Sequence, residues 1–221
     1  MSSAPTLRPT LRAPRLYIVT DRTLTGDRSL VDVVAAALRG TAGCAPGTVA
    51  VQLREKDLGG VPLAQLARAL RGVTTAAGAA LYVNDRADVA LAVGADGVHL
   101  SGTSLAPADA ARAAPGLALA VSAHAPGDVA AALASPAPIA FALFGPVNDT
   151  PAKRRYGAPV GVAPLTEAAR LGLPLVAIGG VTVDDVAALR QAGAHGVACI
   201  RALIAAPDPE QSARTFCQLL K

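Results

Sequence analysis

Short runs of β-branched and aliphatic residues alternate with Ala-rich and Leu-rich stretches along almost the whole chain. Each apolar run is short and ends near a polar residue, and the stretch that follows has the apolar spacing of an amphipathic helix. Strands that alternate with helices in this way form a parallel sheet whose faces the helices cover. The eight predicted strands span residues 16–20, 49–54, 80–84, 97–100, 117–122, 139–144, 173–179 and 196–201.

The number and spacing of these units predict a closed barrel. Each unit is roughly 20–30 residues long, the size of a βαβ repeat, and eight of them close into a (β/α)8 TIM barrel. The alternative, an open flavodoxin-like sheet, usually stops at about five to seven strands. Predicted helices span residues 30–39, 63–77, 86–93, 107–114, 127–134, 165–171, 183–192 and 209–220.

The length of 221 residues fits a single α/β barrel domain, which we expect over residues 16–221. Residues 1–15 contain three prolines and no apolar run, so a disordered arm is expected there. Hydrophobic residues make up 52% of the chain and aromatic residues only 3%, which predicts a core built mainly of Ala, Val, Leu and Ile. Because no apolar run approaches ~20 residues, a membrane span is not expected.

Charge and cysteine content restrict the partners and the compartment. The formal net charge is +4, but Lys and Arg are scattered, which favours small anionic substrates over nucleic acid. The three cysteines, Cys44, Cys199 and Cys217, form no CxxC spacing and leave an odd number. Neither a disulfide framework nor a zinc site is therefore expected. A reducing, cytoplasmic location follows as the simplest interpretation.

Active sites of such barrels lie in the loops at the carboxyl ends of the strands, so the residues there are the functional candidates. In the second strand, period-two alternation places Gln52 and Arg54 on one face, with Lys56 just beyond the strand end. A guanidinium and an ammonium at this spacing suit a diphosphate. The alternative is that Arg54 pairs with a carboxylate inside the barrel while Glu55 and Lys56 lie in a solvated loop.

Asn84 and Asp85 lie where the third strand meets its helix. Asp85 can be an ordinary helix N-cap, which is the favoured interpretation for an isolated Asp at such a junction. The sharper interpretation is that Asp85 binds a Mg²⁺ that bridges diphosphate oxygens.

Two further loops offer phosphate contacts. The loop after the sixth strand carries Thr150 and Lys153 among turn-forming residues, which suits a lid over a phosphate, although a solvated charged loop is the alternative. Ile178, Gly179 and Gly180 end the seventh strand, and Ile200 ends the eighth, where barrels commonly bind phosphate through backbone N–H groups.

The three histidines lack the i, i+4 spacing of a helical metal pair, so zinc is not expected. His195 precedes a strand and lies at the opposite barrel face, where a structural role or simple exposure is expected. His99 is more easily a hydrogen-bond donor to a backbone carbonyl inside the barrel than a catalyst. His124, two residues after Ser122, is close enough to the mouth to act as a proton shuttle.

Several segments resemble, in order, those of the thiamine phosphate synthase and thiazole tautomerase family. The resemblance extends over residues 16–217. The segments read LYIVTDR, VQLREKDL, LYVNDRADVALAVGADGVHL, VSAH, FGPVNDTPAKR and AIGGVTVDDVAALRQAGAHGVACI.

The resemblance implies an enzyme that joins hydroxymethylpyrimidine diphosphate to hydroxyethylthiazole phosphate and releases diphosphate. It implies a dissociative reaction in which a pyrimidine-methyl cation forms before the thiazole nitrogen captures it, and it suggests Mg²⁺ and a homodimer. It places Ser122 near the pyrimidine and Asp85 on the metal. The implied pyrimidine diphosphate contacts are Gln52, Arg54, Lys56, Asn84 and Lys153, and the implied thiazole phosphate contacts are Thr150, Ile178, Gly180 and Ile200.

The sequence departs from the synthase pattern at two positions. Ser104 stands where a second Mg²⁺ carboxylate is usual, and Ala152 stands where the phosphate loop usually has a second threonine. The tautomerases share both departures and carry a histidine matching His124, which implies isomerisation of carboxythiazole phosphate without metal as the alternative activity. Gln52, Lys56 and Asp85 favour the synthase. A barrel that binds thiazole or thiamine phosphates without turnover is the third possibility.

Overall fold

The fold is a closed barrel of eight parallel strands in the order β1 to β8, with β8 pairing back to β1. The computed structural model describes residues 13–149 and 158–221. The prediction of a (β/α)8 barrel is confirmed. The strands are β1 Leu16–Val19, β2 Val49–Leu53, β3 Ala80–Asn84, β4 Gly97–Leu100, β5 Ala118–Ala123, β6 Ile139–Phe144, β7 Leu175–Ile178 and β8 Gly196–Cys199.

The helices surround the barrel and follow the predicted pattern. The predicted segment 183–192 begins as a 3-10 turn, Val183–Asp185, before the α-helix starts, and the four-residue helix after β8 was not predicted. No helix in the described part of the chain is both long enough and apolar enough to cross a membrane. The helices are α1 Leu30–Gly40, α2 Gly60–Ala76, α3 Ala87–Ala92, α4 Pro107–Ala113, α5 Pro126–Leu133, α6 Val162–Ala169, α7 Val186–Gln191, α8 Arg201–Ile204 and α9 Pro209–Leu219.

Aromatic rings fill the inside of the barrel even though the chain contains few of them. Tyr17, Tyr82 and Phe141 pack edge to face, with ring centroids 5.3 to 5.8 Å apart. Gly97 leaves room for this cluster, because a Cβ at that position would lie 2.3 Å from the Tyr82 ring. Aliphatic side chains on the outer face of the strands pack against the helices and form the larger core, as the composition predicted.

The barrel begins before the predicted domain boundary. Ala13 is buried, and its carbonyl oxygen accepts a hydrogen bond from His195 Nε2 (2.9 Å). The Arg15 N–H donates to the Thr48 carbonyl (2.7 Å), and the Arg15 carbonyl accepts from the Val197 N–H (2.9 Å). Residues 13–15 are therefore part of the barrel rather than of a disordered arm, because they extend the backbone pairing of β1. Residues 1–12 lie outside the described residues.

The expectation that the cysteines form no disulfide is wrong for one pair. Cys44, in the loop before β2, is bonded to Cys217 in α9, with Cα atoms 5.4 Å apart and a sequence separation of 173. Only Cys199, which is buried in β8, is a free thiol among the described residues. Local spacing could not reveal this pair, because packing of α9 against α1 and its loop brings the two cysteines together. The reducing compartment stays a prediction, which the disulfide does not favour.

Candidate active site

Three polar side chains at the carboxyl end of β2 become more exposed to solvent from one to the next along the chain. Gln52 is buried, Arg54 is half-buried and Lys56 is exposed. The Arg54 N–H donates to Thr20 Oγ1 (2.9 Å) at the end of β1, which fixes the backbone where the strand leaves the barrel. No described carboxylate forms an ion pair with Arg54, and residues 150–157 contain no Asp or Glu. Its guanidinium is thus available to an anion, and the alternative structural interpretation is not supported.

The loop that carries Lys56 is held by a carboxylate network rather than lying free in solvent. Glu55 is buried, and both its carboxylate oxygens accept from the Arg22 N–H at 3.1 Å. The Arg22 guanidinium also donates to Glu55 (3.2 Å) and makes two 2.6 Å bonds to Asp57. Hydrogen bonding to Arg22 lowers the pKa of Asp57 to about 2. This network ties the β1 loop to the β2 loop and so fixes the base of the Lys56 side chain.

Asp85 is positioned by its backbone and by a ring of donors, and it is not the N-cap of α3. Its φ is 60°, in the left-handed region, and the cap position is occupied by Arg86. The carboxylate accepts from the Ser101 N–H (2.9 Å) and hydroxyl (3.1 Å), and from the Ser104 hydroxyl. Burial alone would raise the pKa of Asp85, but these hydrogen bonds and the charge of Lys56 outweigh it and lower the pKa. Asp85 is therefore ionised at neutral pH.

Side-chain amides connect the floor of the site to Asp85. Gln52 Nε2 donates to Asn84 Oδ1 (2.8 Å), and Asn84 Nδ2 donates to Asp85 Oδ2 (2.8 Å). An ionised carboxylate only accepts, so the Asn84 amide must turn its NH₂ towards Asp85 and its oxygen towards Gln52. Gln52 then presents Oε1 as a buried acceptor with no hydrogen-bond partner in the described structure.

Buried His99 and half-buried Ser122 form the second polar pair of the mouth. His99 Nε2 lies 3.0 Å from Ser122 Oγ, while Nδ1 has no partner among the described residues. The histidine side chain therefore bonds a hydroxyl, not the backbone carbonyl that was expected. Burial, opposed by Asp85 and assisted by Arg54, lowers the pKa of His99 to about 4, so the ring is neutral. A buried N–H without an acceptor is rarer than a buried unpaired acceptor, which favours the tautomer with the proton on Nε2.

His124 lies at the surface of the mouth. Its side chain is exposed, and Nδ1 contacts the carbonyl oxygen of Gly145. Asp128 accepts from the His124 N–H (2.7 Å) and the Ala125 N–H (3.0 Å), which fixes the backbone at the end of β5. The ring is thus held at the mouth by the loop after β6, where a proton shuttle is geometrically feasible.

The loops after β6 and β7 are bonded to each other. The Val147 N–H donates to the Ile178 carbonyl (2.8 Å), and the Asn148 N–H donates to the Gly179 carbonyl (3.0 Å). Asn148 Nδ2 also reaches the Gly180 carbonyl (3.3 Å). Gly179 and Gly180 have positive φ angles of 108° and 62°, which residues other than glycine rarely adopt. The carbonyls of this turn therefore accept bonds from the β6 loop, which fixes the backbone at the end of β7.

The described part of the mouth brings most of the predicted residues together. Hydrogen bonds and neighbouring charges link the residues of β2 to those of β5, and the β6 loop continues this rim to β7. Ile200 immediately precedes α8 and accepts from the N–H groups of Leu203 and Ile204. Thr150 and Lys153 lie outside the described residues. His195 lies at the opposite face, where it was expected. Sequence reasoning missed the roles of Glu55, Arg22 and Asn148, because their contacts form only where the loops meet.

Comparison with known proteins identifies the family of this chain. The family model described as thiamine monophosphate synthase matches residues 16–203. A Geobacter sulfurreducens protein with a provisional thiamine-phosphate synthase name is 46% identical over 208 residues, 93% of each chain. The Roseiflexus castenholzii thiamine-phosphate synthase is 44% identical over 92% of this chain and 87% of its own. A solved thiamine phosphate pyrophosphorylase from Pyrococcus furiosus superposes with a TM-score of 0.82 at 29% identity, over 96% of each chain. This chain belongs to the thiamine monophosphate synthase family.

Proposed function

We propose that this protein is a thiamine-phosphate synthase, which transfers the pyrimidine-methyl group of hydroxymethylpyrimidine diphosphate to the nitrogen of hydroxyethylthiazole phosphate. The observation that carries the proposal is the amide chain from Gln52 through Asn84 to Asp85, whose carboxylate is close enough to Lys56 for the ammonium charge to lower its pKa. This arrangement supports the proposal, because groups suited to a heterocycle occur next to a cation suited to its diphosphate.

The two polar pairs, Gln52 with Asn84 and His99 with Ser122, are complementary to an aminopyrimidine. Gln52 Oε1 is an acceptor without a partner and suits the exocyclic amino group. If His99 donates from Nε2 to Ser122 Oγ, the serine hydroxyl is free to donate its own proton to a ring nitrogen. An aminopyrimidine carries an amino donor and ring-nitrogen acceptors, so its hydrogen-bonding chemistry matches these two groups.

Arg54 and Lys56 are assigned to the diphosphate. Departure of diphosphate concentrates negative charge on the leaving group, and a guanidinium and an ammonium fixed in advance stabilise that charge. The pyrimidine-methyl cation left behind is captured by the thiazole nitrogen, and the protein contributes by holding the two rings close together. Lys153 is assigned to the diphosphate as well, and Thr150, Gly180 and the backbone at Ile178 and Ile200 to the thiazole phosphate.

Asp85 fits a Mg²⁺ role shared with the substrate. Among the described residues no group of three His, Cys, Asp or Glu side chains could hold a metal by itself. Mg²⁺ commonly binds through one or two carboxylates, with waters and substrate phosphate oxygens completing the shell. Ionised Asp85 supplies one carboxylate, and the hydroxyls of Ser101 and Ser104 can rotate to release its lone pairs or to bind the ion. Bound there, Mg²⁺ would neutralise charge on the diphosphate.

The direct experiment is formation of thiamine phosphate from the two substrates with Mg²⁺. Arg54→Gln is expected to lower kcat/KM by about a hundredfold, the usual effect of removing one donor to a developing anion. Arg112→Gln, at an exposed position on α4, is the matched control and should leave turnover unchanged. Asp85→Ala should abolish metal-dependent turnover. Absence of thiamine phosphate with folded wild-type protein would contradict the proposal.

Thiazole tautomerase activity is the second candidate, because Ser104 replaces a carboxylate beside Asp85 and His124 is held at the mouth. Isomerisation of carboxythiazole phosphate without metal would reveal it, and His124→Ala should then abolish the isomerisation. Binding of thiazole or thiamine phosphate without either reaction would identify a non-catalytic barrel.

We also propose that the protein acts as a homodimer in the cytoplasm, without a nucleic-acid partner. Light scattering at micromolar protein concentration tests the assembly state directly. A monomer at all concentrations would contradict that part of the proposal.

A further inference from the structure

A second polar cleft lies at the amino-terminal ends of the strands, on the opposite side of the barrel from the mouth. Its volume is about 450 Å³, within the range of small-molecule sites. Arg15 precedes β1, His195 precedes β8, and Arg190 lies near the end of α7. We call this the amino-terminal cleft; it is lined by Arg15, Ala169, Arg190, His195, residues 172–175 and residues 193–194.

The cleft gathers positive charge without a counter-charge. Burial and the charge of Arg15 lower the pKa of Arg190. Burial also lowers the pKa of His195, and the charges of Arg15 and Arg190 lower it further, while its bond to the Ala13 carbonyl opposes them. The charges that lower these two pKa values therefore come from the arginines of the cleft itself.

No carboxylate of this chain compensates for the two guanidinium groups. Neither Arg15 nor Arg190 forms an ion pair within the described residues. The segments outside them, 1–12 and 150–157, contain no Asp or Glu and so cannot supply one. Like charges brought together in a partly buried cleft are unfavourable unless an anion joins them.

The hydrogen-bonding groups of the arginines show where the anion would bind. Arg190 Nη1 donates to the carbonyls of Ala194 (2.8 Å) and His195 (2.7 Å), which fixes its guanidinium at the edge of the cleft. Arg15 Nη1 is buried and has no acceptor in the described structure. A buried guanidinium N–H without an acceptor is unfavourable, so Arg15 Nη1 favours an acceptor brought into the cleft.

From the cleft, its uncompensated charge and the unpaired Arg15 Nη1, we infer a binding site for a small phosphate group at the amino-terminal face. A guanidinium matches two oxygens of one phosphate, and a second guanidinium and an imidazole beside it suit its second charge. Inorganic phosphate and a phosphate monoester share this chemistry. The site is separate from the mouth and does not take part in turnover there.

The test uses the C2–H signal of His195 in NMR titrations of the full chain. Sodium phosphate, compared with sodium chloride at equal ionic strength, is expected to raise the pKa of His195 by about one unit, because a nearby anion stabilises the imidazolium. Methyl phosphate is titrated in parallel. A larger shift with the ester indicates a monoester ligand, and a larger shift with inorganic phosphate indicates the free ion.

Variants assign the effect to the cleft. Arg15→Gln should abolish the phosphate-dependent shift in the pKa of His195 while thiamine phosphate formation is retained. Arg15→Lys keeps the positive charge but loses the paired N–H donors of the guanidinium, so it should leave a smaller shift. Arg112→Gln on α4 should behave as wild type. The inference is overturned if phosphate leaves the His195 signal unchanged, or if Arg15→Gln and Arg15→Lys both respond as strongly as wild type.

Discussion

His99 is expected to make the folded protein sensitive to mild acid, and His99→Gln should remove that sensitivity. The imidazole is 1% exposed, and its burial lowers its pKa from 6.5 to about 4. Glutamine places an amide nitrogen near the position of Nε2 and can still donate to Ser122, but it does not titrate. The variant therefore separates the proton equilibrium of His99 from its hydrogen bond.

The magnitude follows from proton linkage. Above about pH 6.5 neither the folded nor the unfolded chain protonates this side chain. As the pH falls from 6.5 towards 4, the unfolded chain binds a proton at His99 that the folded chain does not, so the free energy of unfolding decreases. A difference of roughly 2.5 pKa units corresponds to about 3 kcal/mol. The stabilisation is thus fully present at neutral pH and lost by about pH 4.

Urea unfolding at about pH 7 and about pH 4 measures the effect as a difference between two proteins. The free energy of unfolding of the wild type should fall by about 3 kcal/mol more than that of His99→Gln over this interval. Ser122→Ala removes the same hydrogen bond but keeps the imidazole, so it should retain the acid sensitivity of the wild type. Equal losses for wild type and His99→Gln would refute the reasoning, because they would mean that His99 titrates normally in the folded chain.

Three further changes have predictable effects. Cys44→Ser should lower the free energy of unfolding by about 5 kcal/mol in the chain-entropy account, because the disulfide closes a loop of 173 residues. Urea unfolding of the wild type with and without reductant checks this. Equal free energies under the two conditions would mean that the disulfide does not form. Glu55→Gln should lower kcat/KM by about tenfold or more by loosening the loop of Lys56, whereas exposed Asp57→Asn should have a smaller effect in the same assay. Gly97→Ala should lower the free energy of unfolding by about 1–3 kcal/mol, because its Cβ would overlap the Tyr82 ring; an unchanged Tm would contradict this packing.

The strands and helices could be predicted from the sequence because local periodicity and side-chain shape govern each of them. The predicted bounds 80–84, 97–100 and 139–144 coincide with β3, β4 and β6. The short α8, Arg201–Ile204, was missed because four residues are too few to show a helical period. The predicted domain start at residue 16 left out Ala13 and Arg15, because these residues are held by contacts with His195 and Thr48 rather than by local sequence.

The candidate site was readable in part for a similar reason. The carboxyl ends of parallel strands converge, so polar residues there were expected to meet, as Gln52, Asn84 and Asp85 do. The direction of the hydrogen bonds between Gln52, Asn84 and Asp85 could not be predicted from the sequence. It depends on Asp85 being ionised, which the hydroxyls of Ser101 and Ser104 favour. The bond between His99 and Ser122, which joins neighbouring strands inside the barrel, could not be predicted either.

The sequence by itself determined the eightfold alternation of strand and helix, the choice of residues at the strand ends and their family resemblance. Those properties follow from periodicity, turn chemistry and residue type, all of which act over a few neighbouring positions. Only the tertiary structure decided that Cys44 meets Cys217, that Glu55 is buried against Arg22, and that two arginines face one cleft without a carboxylate. Such contacts join residues far apart in the chain, and whether they form depends on how the closed barrel brings its loops and helices together.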